Sequence, residues 1–156
     1  MTAWLEGTAL STWMRESSSI WAYPTILTLH TVGLAIVVGA SAVIDFRILG
    51  FAPRIPVPSL SPLFGIILWA FLLNAATGLM LFAQDAMTKS GQPVFYIKLT
   101  LIALALGIIM VIRRGLRREP ERFRSEIVPG GYRMLAVLSL LLWAGAITAG
   151  RLMAYL

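Results

Sequence analysis

Four long apolar stretches, separated by shorter polar ones, dominate the chain. They cover approximately residues 21–44, 63–83, 94–112 and 132–156. Each stretch supplies the roughly 20 mostly apolar residues that a helix needs to cross the hydrocarbon core of a bilayer. The pattern predicts an all-α fold in which residues 21–156 form one domain, an integral membrane four-helix bundle.

Residues 1–20 have a different pattern, because their apolar positions alternate with polar ones. Serine, threonine, glutamate and arginine separate the apolar residues Trp4, Leu5, Leu10, Trp13 and Met14. The apolar positions recur at roughly helical spacing, which is typical of an amphipathic helix lying in the membrane interface. We therefore predict that residues 1–20 form an N-terminal interfacial helix.

Basic residues are distributed unevenly among the connections. The connection 113–133 contains seven arginines and three glutamates, and the first connection adds Arg47 and Arg54. The N-terminal segment and the second loop contain only Arg15 and Lys89. Cytoplasmic loops retain lysine and arginine. We therefore expect a bacterial inner (cytoplasmic) membrane protein with the 113–133 loop in the cytoplasm and both termini in the periplasm.

Composition agrees with a membrane protein and narrows its chemistry. Hydrophobic residues make up 58% of the chain and charged residues 13%, against about a quarter charged in soluble domains. The net charge of +6 is concentrated in the arginine-rich connection, so we interpret it as a topology signal and expect no nucleic-acid partner. The chain has no cysteine, which excludes thiolate metal sites and covalent haem attachment.

Five polar side chains inside the spans are the candidate functional residues, since polar groups in hydrocarbon are costly when unpaired. They are His30, Asn74, Thr77, Lys98 and Arg151, and all fall in the outer half of the bundle. His30, the single histidine, is about 13 Å from the outer end of its span at 1.5 Å per residue. Gly33 lies on the same face, which allows close approach of another helix or of a planar ring.

This arrangement suits a planar anionic cofactor standing on edge. We predict a b-type haem with His30 as its metal ligand and with its two propionates paired with Lys98 and Arg151. Asn74 and Thr77 complete the predicted binding site. Such a site would transfer electrons between a quinone or a periplasmic redox protein and a partner.

The single histidine leaves the sixth iron ligand open. Candidates are Met80, Met110, Met153, a water molecule, or His30 of a second copy of the chain in a homodimer. Other interpretations also remain open. His30 can hydrogen-bond across the bundle to Asn74 or Thr77 in a structural or assembly subunit, while the two cations extend to the headgroups. A copper-handling subunit is a further alternative.

Several short strings resemble a bacterial four-helix membrane family of unknown function. They are His30–Gly33, Gly39–Gly50, Thr77–Ala83, Pro93–Leu99 and Trp143–Tyr155. A histidine in the first span and a lysine opening the third are also distantly similar to the copper-resistance D proteins and the HemJ-type protoporphyrinogen oxidases. The second resemblance implies haem binding with His30 and Lys98 as the functional pair, and porphyrinogen or quinol oxidation as an alternative activity.

Overall fold

The structure, a computed structural model, describes residues 22–124, 128–153 and 155. The predicted interfacial helix over residues 1–20 lies outside the described residues. Within them the chain is helical and contains no strand, which confirms the all-α prediction. The helices are α1 (Ala22–Leu49), α2 (Leu63–Gln84), α3 (Ala86–Ser90), α4 (Pro93–Arg118) and α5 (Gly130–Leu152), with 3-10 helices at Val57–Leu60 and Pro120–Phe123.

Four of these helices, α1, α2, α4 and α5, have the length and composition of membrane spans. The mean hydropathy of the most apolar stretch in each is between 1.7 and 2.4. Large apolar side chains point away from the protein interior on these helices: Trp69 is 73% exposed and Leu79 is 69% exposed. Because such surface is stable only against hydrocarbon, the chain is a multi-pass membrane protein whose outer surface contacts lipid.

The first helix continues five residues beyond the predicted span and ends in a Schellman motif. Gly50 has a φ of +109°, a conformation that favours glycine. Its amide donates to the Arg47 carbonyl at 3.2 Å, and the amide of Phe51 donates to the Phe46 carbonyl at 3.0 Å. The rings of Phe46 and Phe51 meet edge to face, 5.5 Å apart. These contacts turn the chain sharply at the arginine-rich end of the bundle.

The other helix ends also differ from the predicted spans. Helix α4 continues from residue 112 to Arg118 because arginine and leucine favour helix, and it stops just before Pro120, which disfavours helix in the residue ahead of it. Helix α5 ends at Leu152 instead of residue 156. The polar loop predicted between the second and third spans contains the short helix α3.

The helices pack as two consecutive pairs. Helix α1 packs against α2, α4 packs against α5, and the two pairs meet through α1 and α5. Helices α2 and α4 do not pack along their length, although the rings of Phe82 and Phe95 stack at 4.9 Å near their connection. The bundle is therefore a row of four helices in the order α2, α1, α5, α4.

Large buried side chains are concentrated at the arginine-rich end, where the connections 50–62 and 119–129 lie. This end holds the fully buried residues Ile44, Ile48, Val57, Ile112, Phe123 and Val128. Toward the opposite end the buried positions of α4 and α5 are alanines: Ala105, Ala146 and Ala149. Dense packing of bulky side chains thus fixes one end, while small residues line the other.

Candidate functional site

The histidine site consists of His30, Asn74, Thr77 and Lys98, near the end of the bundle opposite the arginine-rich end. His30 on α1 reaches across to α2. Its Nδ1 is 3.0 Å from the backbone carbonyl oxygen of Asn74 and 3.1 Å from Oγ1 of Thr77. Asn74 and Thr77 are themselves buried. The structure therefore brings together three of the five residues predicted from the sequence.

These contacts determine which imidazole nitrogen carries hydrogen. A carbonyl oxygen only accepts, so Nδ1 is the donor to Asn74. The Thr77 hydroxyl donates to the Leu73 carbonyl at 2.8 Å, which leaves its oxygen free to accept from Nδ1. In a neutral imidazole the second nitrogen, Nε2, then has a lone pair. Within the described residues Nε2 has no hydrogen-bond partner.

Two glycines allow the close approach of α1 and α2. A Cβ on Gly33 would lie 3.3 Å from Cβ of Asn74, and a Cβ on Gly78 would lie 3.0 Å from Cε1 of His30. The face of α1 that contains Gly33 is therefore occupied by helix α2. The predicted close approach on this face is to a helix, and a planar ring would have to lie on the Nε2 side of His30.

Lys98 occupies the space over another glycine. Its side chain lies along α5, with Nζ 3.5 Å from the position that a Cβ of Gly150 would take. Lys98 is partly buried and has no hydrogen bond or ion pair within the described residues. Its charge is close enough to interact with His30. Arg151 follows Gly150 but is exposed, and its side chain has no hydrogen bond or ion pair within the described residues.

A second cation, Lys89 in α3, also lies near this site. Its Nζ donates to the Leu81 carbonyl at 2.7 Å, and its charge interacts with His30 and Lys98. Burial lowers the pKa of the Lys89 ammonium, while the Asp85 carboxylate opposes that shift. Lys89 is not among the site residues predicted from the sequence, because the short helix that carries it has no periodic signal. The site as a whole has more positive than negative charge.

The donor set limits which metals could bind here. Within the described residues no group of three or more histidine, cysteine, aspartate or glutamate side chains could hold a metal ion. His30 alone can supply one nitrogen ligand. A metal that arrives with its own equatorial ligands, as iron does in haem, needs only one axial side chain. The site fits that type of metal better than a bare ion.

A second polar cluster lies between α1 and α5, closer to the arginine-rich end. We call Ser41, Asp45, Ser139 and Trp143 the aspartate cluster. Ser41 and Asp45 are one helical turn apart on α1, as are Ser139 and Trp143 on α5, and all four are at most 2% exposed. The Ser139 hydroxyl interacts with the Asp45 carboxyl. These four residues form a polar contact inside an otherwise apolar core.

The hydrogen bonds of the aspartate cluster are incomplete. Neither carboxyl oxygen of Asp45, nor Oγ of Ser139, nor Nε1 of Trp143 has a partner in hydrogen-bond geometry. Arg47, two residues further along α1, could pair with Asp45 or anchor the end of the helix, but it has no ion pair with Asp45 within the described residues. Arg47 instead donates from Nη2 to the Pro53 carbonyl at 3.0 Å and from Nε to the Ile55 carbonyl. Arg47 is therefore the anchor, and Asp45 is buried without a cation.

Comparison of the chain with protein-family models, with curated proteins and with solved structures gives no match. The resemblances described from the sequence thus stay predictions.

Proposed function

We propose that this protein is a bacterial inner-membrane protein that binds a b-type haem through Nε2 of His30. The haem would transfer electrons at one face of the membrane. The supporting observation is the hydrogen bond from Nδ1 to the Asn74 carbonyl at 3.0 Å. Histidines that ligate metals characteristically donate a hydrogen bond from the N–H of their other ring nitrogen to a carbonyl or carboxylate, which fixes the tautomer and the orientation of the ring. His30 already has this arrangement.

The charges around His30 favour an anionic ligand. Lys98 and Lys89 interact electrostatically with the imidazole, and Lys98 has no anionic partner within the described residues. A partly buried cation without a counterion is costly, and a carboxylate from the ligand would relieve that cost. Lys98 would therefore pair with one haem propionate. Arg151 is exposed near Gly150 and would meet the second propionate at the membrane boundary.

When bound, the haem would supply the one-electron redox chemistry. The residues of the chain would hold the ring: His30 by ligation, Thr77 and the Asn74 backbone by orienting the imidazole, and Lys98 by charge. Electrons would come from a quinone or a periplasmic redox protein. One haem per chain, or one shared between two chains of a homodimer, are both compatible with a single histidine ligand.

The orientation in the membrane follows from the arginines. The connections at one end of the bundle carry most of them, including Arg54, Arg122 and Arg133. By the positive-inside rule, that end would lie in the cytoplasm. The histidine site would then lie in the periplasmic half, where a periplasmic partner can approach it.

A structural or assembly subunit is the second candidate, and the same hydrogen bonds favour it. The contacts of His30 with Asn74 and Thr77 tie α1 to α2 whether or not a cofactor is present. In that case His30 would contribute only packing and hydrogen bonding to the bundle, about 1–2 kcal/mol. The two candidate functions differ in whether the Nε2 lone pair of His30 binds a metal.

The test is haem binding by the full chain, purified in detergent from haem-replete cells. We expect a reduced-minus-oxidised b-type spectrum and near-stoichiometric haem in the pyridine haemochrome assay. The decisive variant is His30→Gln, because its side-chain amide can still donate to the Asn74 carbonyl but cannot replace imidazole as an iron ligand. It should fold and lose the haem. Thr77→Val is the control that disturbs the same contact and keeps the ligand.

Three results separate the candidates. A native chain without haem, or haem retained in His30→Gln, would contradict the proposal and leave the structural subunit. Haem that is lost in His30→Gln and regained by His30→Gly with added imidazole would support ligation. Haem retained in Lys98→Gln together with loss of porphyrinogen or quinol oxidation would assign an oxidoreductase instead of an electron carrier.

A further inference from the structure

A crevice of about 230 Å³ opens at the arginine-rich end of the bundle. Its walls are Pro58 and Ser61 from the connection between α1 and α2, Phe64 from the first turn of α2, and Arg113, Leu116 and Arg117 from the last turns of α4. The crevice lies where the membrane spans end. One part of its lining is apolar and another is cationic.

Arg113 and Arg117 are one helical turn apart, so both line the same side of the crevice. Neither has an ion pair or hydrogen bond within the described residues. The two glutamates that the structure describes after α4 are already paired: Glu119 with Arg122 at 2.8 Å and Glu121 with Arg124 at 3.0 Å. Two like charges at this spacing repel each other. An anion placed between them would remove the repulsion.

The lining identifies the class of anion. Guanidinium groups bind phosphate oxygens in a bidentate manner, and the Ser61 hydroxyl can donate a further hydrogen bond. Phe64, Leu116 and Pro58 provide an apolar wall at the depth where lipid headgroups meet acyl chains. A ligand with a phosphodiester joined to an apolar tail matches both parts. We propose that this crevice binds the headgroup of an anionic phospholipid, with Arg113 and Arg117 as its phosphate ligands.

Helix α4 also contains a matched control. Arg114 and Arg118 have the same spacing and the same charge, and both are exposed, but neither lines the crevice. The double variants Arg113→Gln/Arg117→Gln and Arg114→Gln/Arg118→Gln remove equal charge from the same helix end. Both change the electrostatics of the connection to the same extent. Only the first changes the crevice.

The experiment is a titration of the purified chain in detergent with phosphatidylglycerol, followed by native mass spectrometry. Phosphatidylcholine and inorganic phosphate form the comparison arms. We expect saturable binding of phosphatidylglycerol alone. Binding should weaken by about 30-fold in Arg113→Gln/Arg117→Gln, the loss of two guanidinium contacts, and change little in Arg114→Gln/Arg118→Gln.

Equal weakening in the two double variants would overturn the proposal in favour of diffuse attraction to surface charge. No weakening in either would place the lipid elsewhere. Binding of inorganic phosphate with the same dependence on Arg113 and Arg117 would identify a free phosphate site and contradict the lipid assignment. If a double variant fails to fold, the single variants Arg113→Gln and Arg114→Gln make the same comparison.

Discussion

The histidine site and the aspartate cluster both include side chains of helix α1, and the two α1 side chains His30 and Asp45 differ in their hydrogen bonds. His30 bonds to the backbone and side chain of α2. Asp45 is fully buried against α5 and bonds to nothing in hydrogen-bond geometry. A side chain can bond to a backbone carbonyl of a neighbouring helix where the two helices approach closely. Gly33 and Gly78 allow that approach at His30 and not at Asp45.

The surroundings of the two regions explain how each is maintained. The aspartate cluster lies in the densely packed part of the core: its own Trp143 is 2% exposed, and Ile44, which precedes Asp45 in the chain, is 0% exposed. Burial of large apolar groups can offset the cost of unpaired polar atoms there. The histidine site lies among smaller residues and depends more on its hydrogen bonds. Apolar packing therefore maintains the aspartate cluster, whereas hydrogen bonds maintain the histidine site.

The largest expected effect is the loss of Trp143. Trp143→Ala should destabilise the bundle by about 3–5 kcal/mol, because it removes a large side chain that is 2% exposed from the packed end. Trp69→Ala is the matched control, since Trp69 is 73% exposed to lipid. Unfolding in mixed micelles followed by circular dichroism measures both. Equal effects of the two substitutions would mean that the aspartate cluster is not held by packing.

The second prediction concerns Asp45. Asp45→Asn should stabilise the protein by about 1–3 kcal/mol, because a neutral amide costs less to bury than an ionisable carboxyl that has no hydrogen bonds. Asp85→Asn is the control, since Asp85 interacts favourably with Lys89 and should show no such gain. The same unfolding measurement applies. A destabilised Asp45→Asn protein would show that Asp45 has a partner that offsets its burial.

The smallest effects compare one hydroxyl from each region. Thr77→Val should cost about 0.6 kcal/mol, a typical value for a hydrogen bond between membrane helices, because Thr77 accepts from His30. Ser139→Ala should cost nothing or stabilise slightly, because its hydroxyl has no partner in hydrogen-bond geometry. Paired unfolding curves would resolve the difference. A larger loss of stability for Ser139→Ala than for Thr77→Val would show that hydrogen bonds contribute more to the aspartate cluster than to the histidine site.

The sequence predicts the spans well because their signal is local. The length and composition of each apolar stretch are enough to identify it as a candidate membrane-spanning helix. The structure confirms four helices of this character. Helix ends are less accurate, since the continuation of α1 to Gly50 depends on a Schellman motif and that of α4 to Arg118 depends on helix propensity outside the apolar stretch. Hydropathy alone does not register either effect.

The site is only partly predictable for a different reason. The depth of His30, Asn74 and Thr77 along their helices can be counted from the sequence, and the structure brings these three residues together. The residues of α5 that cover Asp45 could not be predicted in the same way. Ser41 and Asp45, and likewise Ser139 and Trp143, have the one-turn spacing that marks a shared face. Only the packing of α1 against α5 shows that the two faces meet.

The contact between the first and last membrane helices has a consequence for biogenesis. Helices α1 and α2 are synthesised first and can pair before α4 exists, and α4 and α5 can pair afterwards. The aspartate cluster forms only when α5, the last of the four to be made, docks on α1. Until then Asp45 lacks the helix that covers it. In a nascent chain stopped before Gly130, the carboxyl group of Asp45 would face the lipid, whereas in the finished protein it faces α5.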